Sequence, residues 1–136
     1  MNLWTEREYG VHVDAPSTVA WSLVARPDRW HEWAPHVRGA WRLGEPEVAQ
    51  GKVGAARLVG VVPVPAKVVA VDRGRSWTWH VGPIRLQHDV EPESDTTCRI
   101  VFRMRGPVGA VHLYGPVVHG LLLNLARVAR IRGGSG

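Results

Sequence analysis

Residues 107–132, PVGAVHLYGPVVHGLLLNLARVARIR, decide how the rest of the chain folds. At 100° per residue the larger apolar side chains fall within about half a turn of Val118, whereas Arg127 and Arg130 fall on the far side. This pattern predicts a long amphipathic helix, which at about 1.5 Å per residue would cross a small domain. The residues expected to face inward are Val111, Tyr114, Val118, Leu122, Leu125 and Ala129.

The chain before this helix reads mainly as β-strands, because apolar and polar residues alternate in it. Two short helices interrupt the pattern, one between residues 14 and 28 and one at 29–33, and Pro63–Pro65 is expected to break a strand. Short connections favour antiparallel neighbours, and seven strands are too many to stay flat. We predict an α+β fold in which a curved, seven-stranded antiparallel sheet wraps around the long C-terminal helix. The predicted strands are residues 3–13, 36–43, 51–62, 66–71, 75–81, 84–91 and 97–105.

The length of 136 residues and the hydrophobic fraction of 45% indicate one globular domain. We assign residues 1–132 to it and interpret 133–136, GGSG, as a flexible tail or an added linker. No apolar run approaches the roughly 20 residues of a membrane span, and the N-terminus lacks the apolar core of a signal peptide. Cys98 is the only cysteine. These features predict a cytoplasmic protein without an integral membrane segment.

A net charge of +5 and a pI near 10.3 raise the question of nucleic-acid binding. The arginines are spread over several predicted elements, and no KH, zinc-finger or RRM signature accompanies them. The composition therefore favours a solvated basic surface and no nucleic-acid partner. Convergence of the arginines on one face would oppose this interpretation.

Two short motifs flank the first helix: VDAP at residues 13–16 and RWHEWAP at residues 29–35. In this order of elements they resemble the START-like helix-grip superfamily, and most closely its bacterial polyketide cyclase/dehydrase-type (SRPBCC) proteins. The dipeptide Pro27-Asp28 inverts the Asp-Pro order common there. The resemblance covers the chain up to its tail. It implies a cavity between sheet and C-terminal helix that holds a hydrophobic or amphipathic small molecule.

Inward-facing aromatic and apolar residues are the candidates for lining such a cavity. Trp77 and Trp79 share one face of a strand, and each can bury about 150–250 Å². Plain core packing is the alternative interpretation for each candidate. The orientation of Arg57 is open; facing inward, it would anchor an acidic head group. The candidate ligand-binding residues are Trp33, Trp41, Trp77, Trp79, His88, Phe102, Met104, Tyr114 and Val118.

His88 lies between Leu86 and Val90 on a strand face that is predicted to point inward, where a polar group needs a partner. It is either a hydrogen-bonding group of the cavity, a general acid or base near neutral pH, or a core histidine bonded to a backbone carbonyl. Tyr114 is the second candidate catalytic residue.

Common cofactor and metal motifs are absent from the sequence. It contains no Walker loop, Gly-x-Gly-x-x-Gly, Cys-x-x-Cys or His-Glu-x-x-His. The carboxylates fall in turns or at outward strand positions, which gives no support to a two-carboxylate acid/base mechanism. We therefore expect neither a metal nor a cofactor.

Three functions remain open from the sequence. The first is binding of a lipid-, quinone- or polyketide-like molecule. The second is an enzyme of the polyketide cyclase, aromatase or dehydratase type in the same cavity, and the third is a protein-interaction module whose cavity has collapsed. The scarcity of inward polar groups favours binding over catalysis. A void of several hundred Å³ would favour a ligand, and a packed interior would favour the third function. The oligomeric state is not indicated.

Overall fold

The computed structural model describes residues 3–34, 37–58 and 63–134. Their strands form one seven-stranded antiparallel sheet in the order β1-β7-β6-β5-β4-β3-β2. The predicted fold class, with two short helices after the first strand and a long C-terminal helix, is confirmed. The strands are β1 (Trp4–Val13), β2 (Val37–Trp41), β3 (Val53–Leu58), β4 (Pro63–Asp72), β5 (Ser76–Val81), β6 (Ile84–Pro92) and β7 (Cys98–Pro107). The helices are α1 (Ser17–Ala25), a 3₁₀ helix (Pro27–Glu32) and α2 (Val108–Gly134).

Strands β2 to β7 form a meander, and β1 lies beside its last strand, β7. β1 pairs with β7 along its whole length, from Trp4 opposite Pro107 to Val13 opposite Cys98. The two edges of the sheet are therefore β1 and β2, and α1 with the 3₁₀ helix carries the chain from one edge to the other. This crossover closes one end of the space between the sheet and α2.

The expectation that Pro63–Pro65 breaks a strand is wrong, because β4 begins at Pro63. Pro65 stands opposite Ala55 of β3, and its carbonyl accepts a hydrogen bond from the N–H of Gly82 at 3.1 Å. Its main-chain groups therefore point toward β5, which has already ended at Val81. The missing N–H of the proline costs no ladder bond there.

The inward face of α2 is the one that the sequence predicts. Val111, Val118 and Leu122 are at most 2% exposed, and the helix packs mainly on β1 and β7. Close approach to β1 depends on Gly115, because a Cβ there would lie 2.5 Å from the hydroxyl of Tyr9. Pro116 lies inside the helix, which continues through it.

One expectation about the C-terminal region needs correction. α2 continues through Gly134, so Gly133 and Gly134 belong to the helix rather than to a tail; residues 135–136 lie outside the described residues. A Cβ on Gly133 would lie 2.9 Å from that of Ala15, so this end packs closely on the residues after β1. By length and mean hydropathy, α2 is also apolar enough to cross a membrane, although glycine, proline and histidine interrupt its apolar run. Its buried face identifies it as the core helix of the sheet.

Three tryptophans satisfy the C-terminal carbonyls of α1. The last four carbonyls of an α-helix have no partner within the helix. Trp33 Nε1 donates to the Leu23 carbonyl at 2.9 Å. Trp30 Nε1 and Trp77 Nε1 both donate to the Val24 carbonyl, at 2.9 and 3.1 Å. Trp30 and Trp33 thereby join the 3₁₀ segment to α1, and Trp77 joins α1 to β5 of the sheet.

Replacing Trp33 by Phe should therefore destabilise the fold by about 1–3 kcal/mol, since the buried Leu23 carbonyl would lose its donor. Urea unfolding monitored by circular dichroism measures the change. The matched control is Trp21→Phe, at a buried position whose Nε1 has no partner among the described residues, so no hydrogen bond is lost and a smaller change is expected. Equal effects of the two substitutions would contradict this role for Trp33.

Candidate functional site

A small apolar cavity lies between the sheet and α2, with a volume of about 60 Å³. Seven of the nine candidate residues line it: Trp33, Trp77, Trp79, His88, Phe102, Tyr114 and Val118. We call this space the aromatic cavity.

Two candidates do not line the aromatic cavity. Trp41 is 42% exposed on β2, an edge strand, while the cavity wall is formed by β5, β6, β7, α2 and the segment around the 3₁₀ helix. Met104 is only 1% exposed and fills the core without reaching the cavity. The side chain of Arg57 lies outside the described residues, so its orientation stays open.

Five further residues line the cavity that are not among the candidates from the sequence: Trp30, Ala34, Val81, Leu86 and Leu121. Val81 and Leu86 share the inward alternation of Trp79 and His88, so the same pattern could have found them. Trp30 lies in a six-residue 3₁₀ helix, which is too short to show a periodicity.

Stacked aromatic rings form one wall of the cavity. Trp77 stacks on Trp30 on one side, with centroids 5.6 Å apart, and on His88 on the other at 3.9 Å. Trp79 stands edge-on to Trp77 at 5.4 Å, and Phe102 stands edge-on to His88 at 4.9 Å. Such contacts add stabilisation beyond the buried area and fix the ring positions.

His88 is held neutral in this wall. Its Nδ1 lies 3.0 Å from the Trp77 carbonyl, which can only accept, so Nδ1 carries the hydrogen and Nε2 is an acceptor. Complete burial lowers the pKa of His88 to about 3. Burial also raises the pKa of Tyr114, so its phenol stays protonated. Neither group exchanges a proton readily near pH 7, which weakens the case for acid/base catalysis.

Trp79 differs from the other tryptophans of the cavity. It is 7% exposed, and its Nε1 has no hydrogen-bond partner among the described residues. Trp30, Trp33 and Trp77 instead donate to carbonyls of α1. The cavity wall thus contains one buried donor whose hydrogen-bonding capacity is unused.

A larger, open cleft of about 1420 Å³ lies outside the cavity, between the 3₁₀ helix and residues 40–53. We call it the outer cleft. Trp30 is the one described residue that lines both spaces, so it lies at the boundary between them. The charged residues of the outer cleft are Arg26, Asp28, Arg42, Glu45 and Lys52.

The 3₁₀ helix is fastened to α2 at two points. Glu32 accepts hydrogen bonds from Arg29 at 2.8 Å and from Arg132, whose Nε and Nη2 lie 3.1 and 2.9 Å from Oε1. The bond from Arg29, and more weakly the charge of Arg132, lower the pKa of Glu32. Asn124 Nδ2 donates to the Trp33 carbonyl at 2.7 Å. These contacts hold the segment that carries Trp30 and Trp33.

The outer face of the sheet carries charges of both signs. Arg103 pairs with Asp89 and, at 3.6 Å, with Glu8, and Arg105 lies 3.7 Å from Glu6. The arginines of this face therefore alternate with carboxylates. In the described part of the chain, no three His, Cys, Asp or Glu side chains are grouped so as to hold a metal ion.

The family model described as polyketide cyclase / dehydrase and lipid transport matches residues 6–130. The chain belongs to this family. A search of curated proteins finds no match.

Solved structures share the fold of this family member. A protein from Thermobifida fusca is 21% identical with a TM-score of 0.72, over 92% of this chain and 93% of that one. An uncharacterized protein from Bacillus thuringiensis is 13% identical with a TM-score of 0.74, over 92% and 98%. A norcoclaurine synthase point mutant from Thalictrum flavum, in complex with a transition-state analogue, is 11% identical with a TM-score of 0.65, over 93% and 94%. At these identities the likeness shows the fold alone.

The lowered pKa of His88 predicts a pH-dependent stability. Between about pH 6.5 and pH 4.5 the His88 side chain is protonated in the unfolded state but stays neutral in the folded state. The contribution of His88 to the free energy of unfolding is therefore fully present above pH 6.5, and it decreases by about 1 kcal/mol for each unit by which the pH is lowered below that value. Urea unfolding across this range should show the slope. It should be largely lost in His88→Gln and retained in His80→Gln, at an exposed position of β5. An unchanged slope in His88→Gln would contradict a neutral buried His88.

Proposed function

We propose that the protein binds a hydrophobic or amphipathic small molecule, lipid-, quinone- or polyketide-like, in the aromatic cavity. The wall supports this because it is almost entirely aromatic and aliphatic, as ligand sites commonly are. Membership of a family described by polyketide cyclisation and lipid transport agrees with it. The observation that carries the proposal is the position of Trp30 between the cavity and the outer cleft.

The present volume of the cavity is too small for such a ligand. About 60 Å³ compares with roughly 300–1,000 Å³ for the binding sites of drug-sized molecules. Binding therefore requires the wall to open. Trp30 is held by one hydrogen bond and by ring contacts, and it belongs to a short 3₁₀ helix. Outward movement of its ring would join the cavity to the outer cleft, which then serves as the route of access.

Catalysis is the second candidate. A protein of similar fold, norcoclaurine synthase, has been solved with a transition-state analogue, so the fold can hold a reacting molecule. In this chain His88 is neutral and Tyr114 stays protonated, which leaves positioning as the main catalytic contribution. The third function, a protein-interaction module without a ligand, is supported only by the small volume of the cavity.

Replacing Trp30 by Leu tests the proposal. The smaller side chain should open the wall and reduce the free energy spent on reaching a binding-competent state, so affinity should rise by about tenfold. The probe is N-phenyl-1-naphthylamine, a neutral apolar dye whose fluorescence increases in apolar surroundings. Titration of wild type and variant gives both dissociation constants.

The matched control is Trp41→Leu, which removes an exposed tryptophan outside the cavity and should leave the affinity unchanged. Circular dichroism verifies that each variant is folded. If neither wild type nor Trp30→Leu binds the dye, the interior is filled and the interaction module becomes the better hypothesis.

A further inference from the structure

The hydrogen-bonding groups of the aromatic cavity are unevenly satisfied. Of its four tryptophans, three donate their N–H to carbonyls at the end of α1. Trp79 Nε1 is buried and has no partner among the described residues, although its ring lies on the cavity wall. A buried indole N–H normally finds an acceptor. The unused donor therefore points to a bound group that accepts a hydrogen bond.

His88 offers the complementary group on the same wall. Its Nδ1–H is used by the Trp77 carbonyl, which leaves Nε2 as an acceptor that makes no hydrogen bond in the described part of the chain. The rings of His88 and Trp79 are 6.2 Å apart between centroids. An unused donor and an unused acceptor therefore belong to neighbouring rings of the same cavity wall.

The charge of the wall limits which polar group fits. None of the described residues that line the cavity is an Asp, Glu, Lys or Arg. A carboxylate or phosphate would be buried without a counter-ion, which is strongly unfavourable. A ketone or quinone oxygen could accept from Trp79 but could give nothing to His88 Nε2. A hydroxyl group does both.

We propose that the aromatic cavity recognises a hydroxyl group on its apolar ligand, with Trp79 Nε1–H donating to the hydroxyl oxygen and the hydroxyl hydrogen donated to His88 Nε2. This inference rests on the proposed binding function and narrows its ligand class to neutral hydroxylated molecules, such as phenols and apolar alcohols. Charged fatty acids are disfavoured because they would lack a counter-ion, and quinones because they have no hydrogen to donate to His88 Nε2.

A second tryptophan provides an internal comparison. Trp21 is 6% exposed, and its Nε1 also has no partner among the described residues, but it does not line the cavity. Trp21→Phe and Trp79→Phe thus make the same chemical change at two buried positions. Only the second removes a donor from the proposed site.

The test compares 1-naphthol with 1-methylnaphthalene, which has nearly the same shape but no hydroxyl. Isothermal titration calorimetry on the wild-type protein should give at least about tenfold tighter binding of 1-naphthol, since two hydrogen bonds separate the probes. 1-Methoxynaphthalene accepts but cannot donate and should bind with intermediate affinity. 1-Naphthoate should bind most weakly because of its charge.

Trp79→Phe should reduce the preference for 1-naphthol to about threefold or less, because one of the two hydrogen bonds is lost. Trp21→Phe should leave the preference unchanged. Equal affinity of wild type for 1-naphthol and 1-methylnaphthalene would overturn the hydroxyl inference and leave apolar binding intact, as would a preference that survives Trp79→Phe. Failure of every probe to bind wild type and Trp30→Leu would overturn the binding function itself.

Discussion

The C-terminal end of α1 is the constraint on which the cavity depends. Its carbonyls need donors from outside the helix, and here they receive indole N–H groups from Trp30, Trp33 and Trp77. The Val48 N–H donates to the next carbonyl, that of Ala25, at 2.9 Å. This helix end has no basic residue in its last turn, and its carbonyls are bonded instead by side chains from the 3₁₀ segment and from β5. The aromatic wall is ordered because three of its four indole N–H groups are bonded to this helix end.

The tryptophans of the wall differ in whether their N–H group is hydrogen-bonded to α1. Trp77 is bonded to α1 and stacked on both faces, so it is part of the scaffold. Trp30 is bonded to α1 as well, but it lies at the boundary with the outer cleft. Trp79 has ring contacts without a hydrogen bond, and it retains its donor. Under the proposed function, structural support, access and recognition fall to different tryptophans of one cluster.

Much of this arrangement follows from periodicity, and some of it cannot. The alternation in β5 and β6 places Trp77, Trp79 and His88 inward, and the helical period places Val118 over them, because these patterns fix which face a side chain occupies. Periodicity failed for Trp30, in a 3₁₀ helix too short to show it, and for Trp41 on an edge strand. Cavity volume and the partner of each N–H depend on how large side chains pack, which a residue pattern does not specify.

The fastening of the 3₁₀ helix to α2 has a consequence for how the chain folds. Asn124 reaches Trp33 across 91 residues, and Arg132 reaches Glu32 across 100. Among the described strands, β1 likewise pairs only with β7, at the other end of the meander. Contacts between such distant parts of a chain require large loop closures before they contribute stability. The N-terminal third therefore lacks its long-range contacts until the last strand and the last helix have packed against it. We expect slow, highly cooperative folding.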